Sequence, residues 1–108
     1  MLETFFDSEY LSYQYLNQDE TCIVHLMLWN GKPAKIVFNE VIGFCIFTNT
    51  GCPTGLRYEV SPSEFFHYAL SSCFEKIPEQ HEYKCYEIVD VSDMPFIKVV
   101  ATRYEFVE

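Results

Sequence analysis

The sequence predicts an α+β fold, predominantly β, with antiparallel sheets in a sandwich-like arrangement and one amphipathic helix at about residues 62–77. Three observations predict it. Apolar and polar side chains alternate along several short stretches, the period of a strand with one face buried. The pair Asn30-Gly31 marks a tight hairpin turn. Ser61-Pro62-Ser63-Glu64 opens the one run with helical spacing. The chain has 108 residues and no linker, repeat or low-complexity tract, so it reads as a single domain over 1–108 with one core. Ten Phe, eight Tyr and one Trp should dominate the packing, although some of the Tyr must reach the surface.

The elements follow in order. Leu11, Tyr13 and Tyr15 alternate with Ser12 and Gln14, which predicts a half-buried strand from about Glu9 to Leu16; Asn17-Gln18-Asp19-Glu20 then supplies a polar turn. Cys22 to Trp29 is more uniformly apolar and ends in Asn30-Gly31, a pair that tolerates the positive φ angles of a type I′ turn. Lys35 to Ile42 should pair back antiparallel. Ile36, Phe38 and Ile42 share a parity that Glu40 interrupts, so both faces are expected to be partly covered. Pro33 belongs at the strand's entrance or on an edge, because it donates no ladder hydrogen bond.

Gly43 marks a bulge or bend before a strand at Phe44 to Phe47. Asn49 to Gly55 reads as loop, and a short strand is predicted at Leu56 to Val60. For the helix, Ser61 reads as N-cap, Pro62 as the first helical residue and Glu64 as the closing residue of a capping box. Phe65, Phe66, Ala69, Leu70, Cys73, Phe74 and Ile77 recur at three- and four-residue spacing, and Pro78 follows as a stop. That face should dock on a sheet, leaving Glu64, His67, Ser71 and Glu75 in solvent. Glu82 to Val91 and Phe96 to Val107, joined by Ser92-Asp93-Met94-Pro95, are expected to form a long terminal hairpin. Ile97, Val99 and Ala101 share one parity and Tyr104 and Phe106 the other, so a β-bulge near Thr102-Arg103 is expected to restore a common buried face.

Sixteen acidic against seven basic side chains give a formal net charge of −9. Attraction to phosphate backbones or anionic lipid needs clustered Lys and Arg, so nucleic acid and membrane surfaces are not expected partners. The N-terminus, Met1-Leu2-Glu3-Thr4-Phe5-Phe6-Asp7, lacks a basic n-region and a long apolar h-region, and no stretch approaches about 20 apolar residues. A cytoplasmic location is expected. Cys22, Cys45, Cys52, Cys73 and Cys85 are odd in number, widely spread and contain no C-x-x-C pair, which suits reduced, largely buried thiols.

The patterns that could carry chemistry are weak. Cys52-Pro53-Thr54-Gly55-Leu56-Arg57 has four residues between Cys and Arg, where the phosphate loop of protein tyrosine phosphatases has five and leads into a helix; here a strand follows. The same loop lacks the Gly-Lys-Ser/Thr ending of a nucleotide-binding loop. His25 and Cys22 lie three apart on a strand and therefore on opposite faces. His67, Ser71 and Glu75 line one helix face without the oxyanion donors that acyl transfer requires. His81 sits in a polar loop with no partner at ligand spacing. No catalytic residue, metal ligand or cofactor is expected.

The acids are more suggestive as a group: Asp7 and Glu9 before the Tyr-rich first strand, Asp19 and Glu20 after it, and Glu79, Glu82, Asp90 and Asp93 around the terminal hairpin. Tyr beside carboxylates gives a protein interface both anchoring area and electrostatic steering. Glu9, Tyr13, Asp19, Glu20, Glu82, Asp90 and Asp93 are therefore the expected partner-binding residues, beside the alternative that they are surface acids kept for solubility.

The stretches Ile36-Val37-Phe38-Asn39-Glu40-Val41, Tyr83-Lys84-Cys85-Tyr86-Glu87-Ile88 and Ile97 through Phe106 resemble small, acidic, uncharacterised bacterial proteins of immunity-protein type. The match covers about a third of the chain and consists of strand-forming hydrophobics. It implies a mainly β, sandwich-like fold and neutralisation of a cognate toxin, and it carries over no binding residue. The expected function is thus a noncatalytic cytosolic protein-binding module with a basic protein partner, an immunity protein being one form of it. The alternatives are a structural β-rich homo-oligomer such as a homodimer, and a small enzyme whose site is assembled from residues far apart in sequence.

Overall fold

The computed structural model describes residues 1–47 and 52–108. Its strands are β1 (Glu3–Thr4), β2 (Glu9–Leu16), β3 (Thr21–Met27), β4 (Pro33–Asn39), β5 (Gly43–Ile46), β6 (Pro53–Tyr58), β7 (Lys84–Asp90), β8 (Pro95–Ala101) and β9 (Arg103–Val107), with a helix, α1 (Glu64–Cys73), between β6 and β7. All pairings are antiparallel. One sheet has the order β1-β6-β7-β8-β5 and the other β2-β3-β4-β9. The fold is α+β and predominantly β, as the residue patterning predicts.

The two sheets face each other across one core. Cys22, Val24 and Leu26 of β3 and Ala34, Ile36 and Phe38 of β4 point inward from the four-stranded sheet, and Leu56, Tyr86, Ile88, Ile97 and Val99 meet them from the five-stranded one. Burial alternates residue by residue along β3, because its outer face has no layer over it. The five-stranded sheet is covered on both faces. Its outer side carries α1, packed through Ala69, Phe65 and Phe66 onto Cys85 and Val100.

Several local expectations are met and several are corrected. Strand β2 has the predicted bounds, but a register shift between Tyr10 and Ser12 makes Leu11 a bulge and leaves it exposed. The Asn30-Gly31 turn is not type I′. Gly31 N–H donates to the Leu28 carbonyl at 2.9 Å and Gly31 alone takes a positive φ, +79°, so the hairpin closes with a three-residue loop and a glycine bulge. Pro33 does open its strand. That strand stops at Asn39 rather than running to Ile42, because Glu40 adopts φ 54° and turns the chain toward the other sheet, where Ile42 N–H bonds the Val100 carbonyl.

Within the predicted loop Asn49 to Gly55, Asn49 to Gly51 lie outside the described residues, and Pro53 to Gly55 already belong to β6, which ends at Tyr58 and not Val60. The helix is shorter than 62–77. Its N-cap is Ser63, whose hydroxyl accepts from Phe66 N–H at 3.2 Å, and Glu59 rather than Glu64 plays the reciprocal part, accepting from Ser63 N–H at 2.7 Å. It ends at Cys73 because Phe74 turns extended and packs its ring at 5.9 Å from Tyr83, so Pro78 is not the stop and Glu75 lies beyond the helix. Past Ala101 there is no bulge: Thr102, with its N–H on the Asn39 carbonyl, is the corner at which the chain leaves one sheet for the other. The change of parity between Ala101 and Tyr104 records that crossing.

Gly43 neither bulges nor bends its strand; it makes room. A Cβ there would stand 3.1 Å from Ala69 Cβ and 3.7 Å from the Phe65 ring, so the helix sits against bare backbone. Gly43→Val should force α1 off the sheet and cost about 2 kcal/mol in urea unfolding, with Gly43→Ala costing less.

Candidate functional site

The two long sides of the sandwich differ. On one, β1 and β9 are tied together: Phe5 stacks on Phe106 with ring centroids 5.9 Å apart, and the Tyr104 hydroxyl donates to Glu3 at 3.4 Å. On the other, β2 and β5 are both terminal strands of their sheets, and each has one edge that pairs with no described residue. The seam between them is aromatic. Phe44 of β5 lies 5.9 Å from Tyr13 and 5.2 Å from Tyr15, and Tyr10 meets Phe96 edge-on at 6.1 Å. Tyr13 is 48% exposed, Leu11 47% and Phe47 52%, so large apolar area reaches solvent along this edge.

Carboxylates flank the seam. Asp7 and Glu9 stand where β2 begins, Asp19 and Glu20 where it ends, and all four are exposed. Asp7 and Glu20 have φ 57° and 50°, conformations that hold the chain in tight turns at each end of the strand. Beyond Glu20 a groove of about 460 Å3 runs between Tyr15, Asn17, Ile42, Cys73 and Tyr83. Burial, the Cys73 thiol 3.9 Å away, and the charges of Glu40 and Glu20 push the Tyr83 phenol up to about 12, so it is a neutral hydrogen-bonding group.

The structure gathers four of the seven expected partner-binding residues, Glu9, Tyr13, Asp19 and Glu20, onto this one edge. Asp93 lies at the Glu9 end, on the β7–β8 turn, exposed but bonded to Arg57 at 2.9 Å. Glu82 lies at the opposite end, one residue from Tyr83, and is exposed. Asp90 is placed differently from a surface acid: it is 7% exposed, and one carboxylate oxygen accepts from Ser92 N–H at 2.9 Å and Met94 N–H at 3.0 Å, shaping the hairpin turn. Phe44 was not among the expected residues, because nothing local in the sequence tells that β5 will lie over β2.

A second cluster that sequence reading did not find crosses the outer face of the five-stranded sheet. Arg57, Glu87 and Lys98 are direct cross-strand neighbours on β6, β7 and β8. Glu87 accepts from Arg57 Nε at 3.0 Å and from Lys98 Nζ at 3.2 Å; Lys98 also reaches Glu59 at 3.2 Å, and Arg57 reaches Asp93. Burial drives the Glu59 carboxyl up, but hydrogen bonds from Ser63, Lys98 and Cys85 outweigh it and hold the group below its ordinary 4.5. A depressed folded-state value means stabilisation that is complete above pH 4.5 and lost as the pH falls through the depressed value. The unfolding free energy of wild type should therefore exceed that of Glu59→Gln at pH 7, and the gap should close below pH 4.5, as read by urea titrations at each pH.

The other sequence patterns dissolve in three dimensions. Arg57 is held in ion pairs and Cys52 precedes a strand, so no phosphate cradle forms. The Ser71 hydroxyl donates to the His67 carbonyl at 2.9 Å, away from an imidazole. His81 lies in the polar loop between α1 and β7, as expected, but its ring packs among Phe66, Phe74 and Tyr83, and its Nδ1 is buried with no hydrogen-bond partner among the described residues. Cys22 and Cys85 are buried, but Cys52 and Cys73 are exposed and Cys45 is half-buried, so the expectation of largely buried thiols holds only in part. Burial pushes the Cys22 thiol up to about 11 and, with Glu59 beside it, pushes Cys85 up as well; both stay protonated at neutral pH. Among the described residues no group of three or more His, Cys, Asp or Glu could hold a metal ion, and no helix is long and apolar enough to cross a membrane. In comparisons with known proteins, no family model, curated protein or solved structure matches the chain.

Proposed function

We propose that the protein is a noncatalytic, cytoplasmic binding module for a basic protein partner, of the kind an immunity protein is for a basic toxin, and that the partner docks on the open β2/β5 edge. The observation that carries this reading is how the charges are spent. Arg57, Lys98 and Arg103 are taken up in ion pairs with Glu40, Glu59, Glu87 and Asp93, so four lysines face twelve carboxylates that have no ion-pair partner among the described residues. This excess of carboxylate reaches solvent at each of the twelve but Asp90. At the β2 edge it surrounds exposed Tyr and Phe, the combination of steering field and rigid apolar anchor that protein interfaces use.

The test compares wild type with Glu9→Lys/Asp19→Lys/Glu20→Lys, both immobilised, in capture from the native host followed by quantitative mass spectrometry. The expected result is a basic protein retained by wild type, eluted by moderate salt and lost by about tenfold or more on the variant. Equal retention by both proteins, or no retained protein, contradicts the reading.

A further inference from the structure

The mode of docking can be taken one step further, on the strength of the basic-partner reading above. Past the Leu11 bulge, Ser12–Leu16 is regular strand, paired register for register with Thr21–His25 on one side and open on the other. An open edge of this length presents alternate N–H and C=O groups to any extended chain laid beside it. Tyr13 and Tyr15 project from it toward Phe44, giving such a chain an aromatic shelf on one face, while Ser12 and Gln14 project to the other face.

The carboxylates decide what can lie there. A second copy pairing antiparallel about a twofold axis through the middle of Ser12–Leu16 would bring Asp7 and Glu9 of each molecule onto Asp19 and Glu20 of the other, setting like charges together at both ends of the new strand pair. A strand bearing Lys or Arg finds opposite charge at both ends instead. We propose that an extended, lysine- or arginine-bearing segment of the basic partner adds to the four-stranded sheet as a fifth strand beside Ser12–Leu16, with main-chain hydrogen bonds to β2 and its basic side chains on the flanking acids.

The probe is a peptide of about ten residues alternating lysine with valine, long enough to span the open stretch and both acidic ends. Two further versions carry N-methyl groups on one or the other alternate set of amides. Because only one set faces β2, one methylated version should lose about tenfold or more in affinity and the other should bind like the parent. In spectra of the isotope-labelled protein, shifts and slowed amide exchange should concentrate in Ser12–Leu16. If both methylated peptides bind as well as the parent, with salt-sensitive shifts confined to Asp7, Glu9, Asp19 and Glu20, strand addition is overturned while the basic-partner reading stands. Failure of all three peptides to bind also overturns strand addition, and the capture experiment then judges the basic-partner reading by itself. A concentration-dependent dimer that protects the same amides without peptide assigns the edge to a second copy and overturns the proposal.

Discussion

Truncating Phe38 to alanine should lower the unfolding free energy by about 4 kcal/mol, the largest effect of any single substitution considered. Phe38 is fully buried, one residue from the end of β4, between its cross-strand neighbours Cys22 and Tyr104, and its ring lies 5.4 Å from that of Tyr86 on the facing sheet. Tyr86 in turn meets Tyr58 at 5.4 Å and Tyr104 at 5.5 Å. Phe38 and its neighbour Tyr104 are therefore the two rings through which the four-stranded sheet meets Tyr86 of the other, and two sheets held at fixed spacing cannot collapse around the void that losing the Phe38 ring would leave. Phe38→Leu should recover more than half of the loss. A second reading distinguishes this mechanism from general weakening. Burial, with the neighbouring Tyr58 and Tyr104, pushes the Tyr86 phenol up to about 12, and water admitted by Phe38→Ala should bring it back toward 10 in a spectrophotometric titration. A loss under about 1 kcal/mol with an unchanged Tyr86 titration would mean that the sheets do not meet through these rings.

Glu87→Ala should cost about 2 to 3 kcal/mol, less than for a fully enclosed ion pair because its partners retain some solvent. Glu87 is 4% exposed and holds two cations, one on each neighbouring strand, whereas the side chains of Arg57 and Lys98 are 20% and 18% exposed. Removing the central carboxylate leaves Arg57 with Asp93 and Lys98 with Glu59, two positive groups on either side of an emptied position. Replacing Arg57, Glu87 and Lys98 together by leucine in a Glu59→Gln background should cost far less than Glu87→Ala alone, because the carboxylate that Lys98 also holds, its side chain 7% exposed, is then neutral and no buried charge is left unmatched. The comparison of single, paired and triple variants by urea unfolding yields the coupling among the three. If the triple variant is as unstable as Glu87→Ala, the network contributes through more than charge compensation.

Local chemistry made much of this architecture legible. Alternation along Glu9–Leu16, a turn dipeptide at Asn30-Gly31, proline at the start of β4, and a helix opening within Ser61–Glu64 and carrying Phe65, Phe66, Ala69 and Leu70 on one face are properties of short windows, and short windows obey backbone sterics and side-chain period wherever they occur. The errors cluster where the chain changes sheet. At Glu40 and Thr102 a strand-like sequence continues while its hydrogen-bond partner changes, and neither residue type announces the corner. The helix lost its last turn for a similar reason: Phe74 gains more by packing against Tyr83 than by extending a helical face that already looked apolar.

Composition and pattern were enough to determine the class of fold, the excess of acid and the place of most strands, since each depends on what a residue prefers within a few neighbours. That Phe44 completes a seam begun by Tyr13 and Tyr15, and that Arg57, Glu87 and Lys98 form one row, were decided by strand order. Strand order brings together residues dozens of positions apart, through the burial of a shared core that no single segment contains.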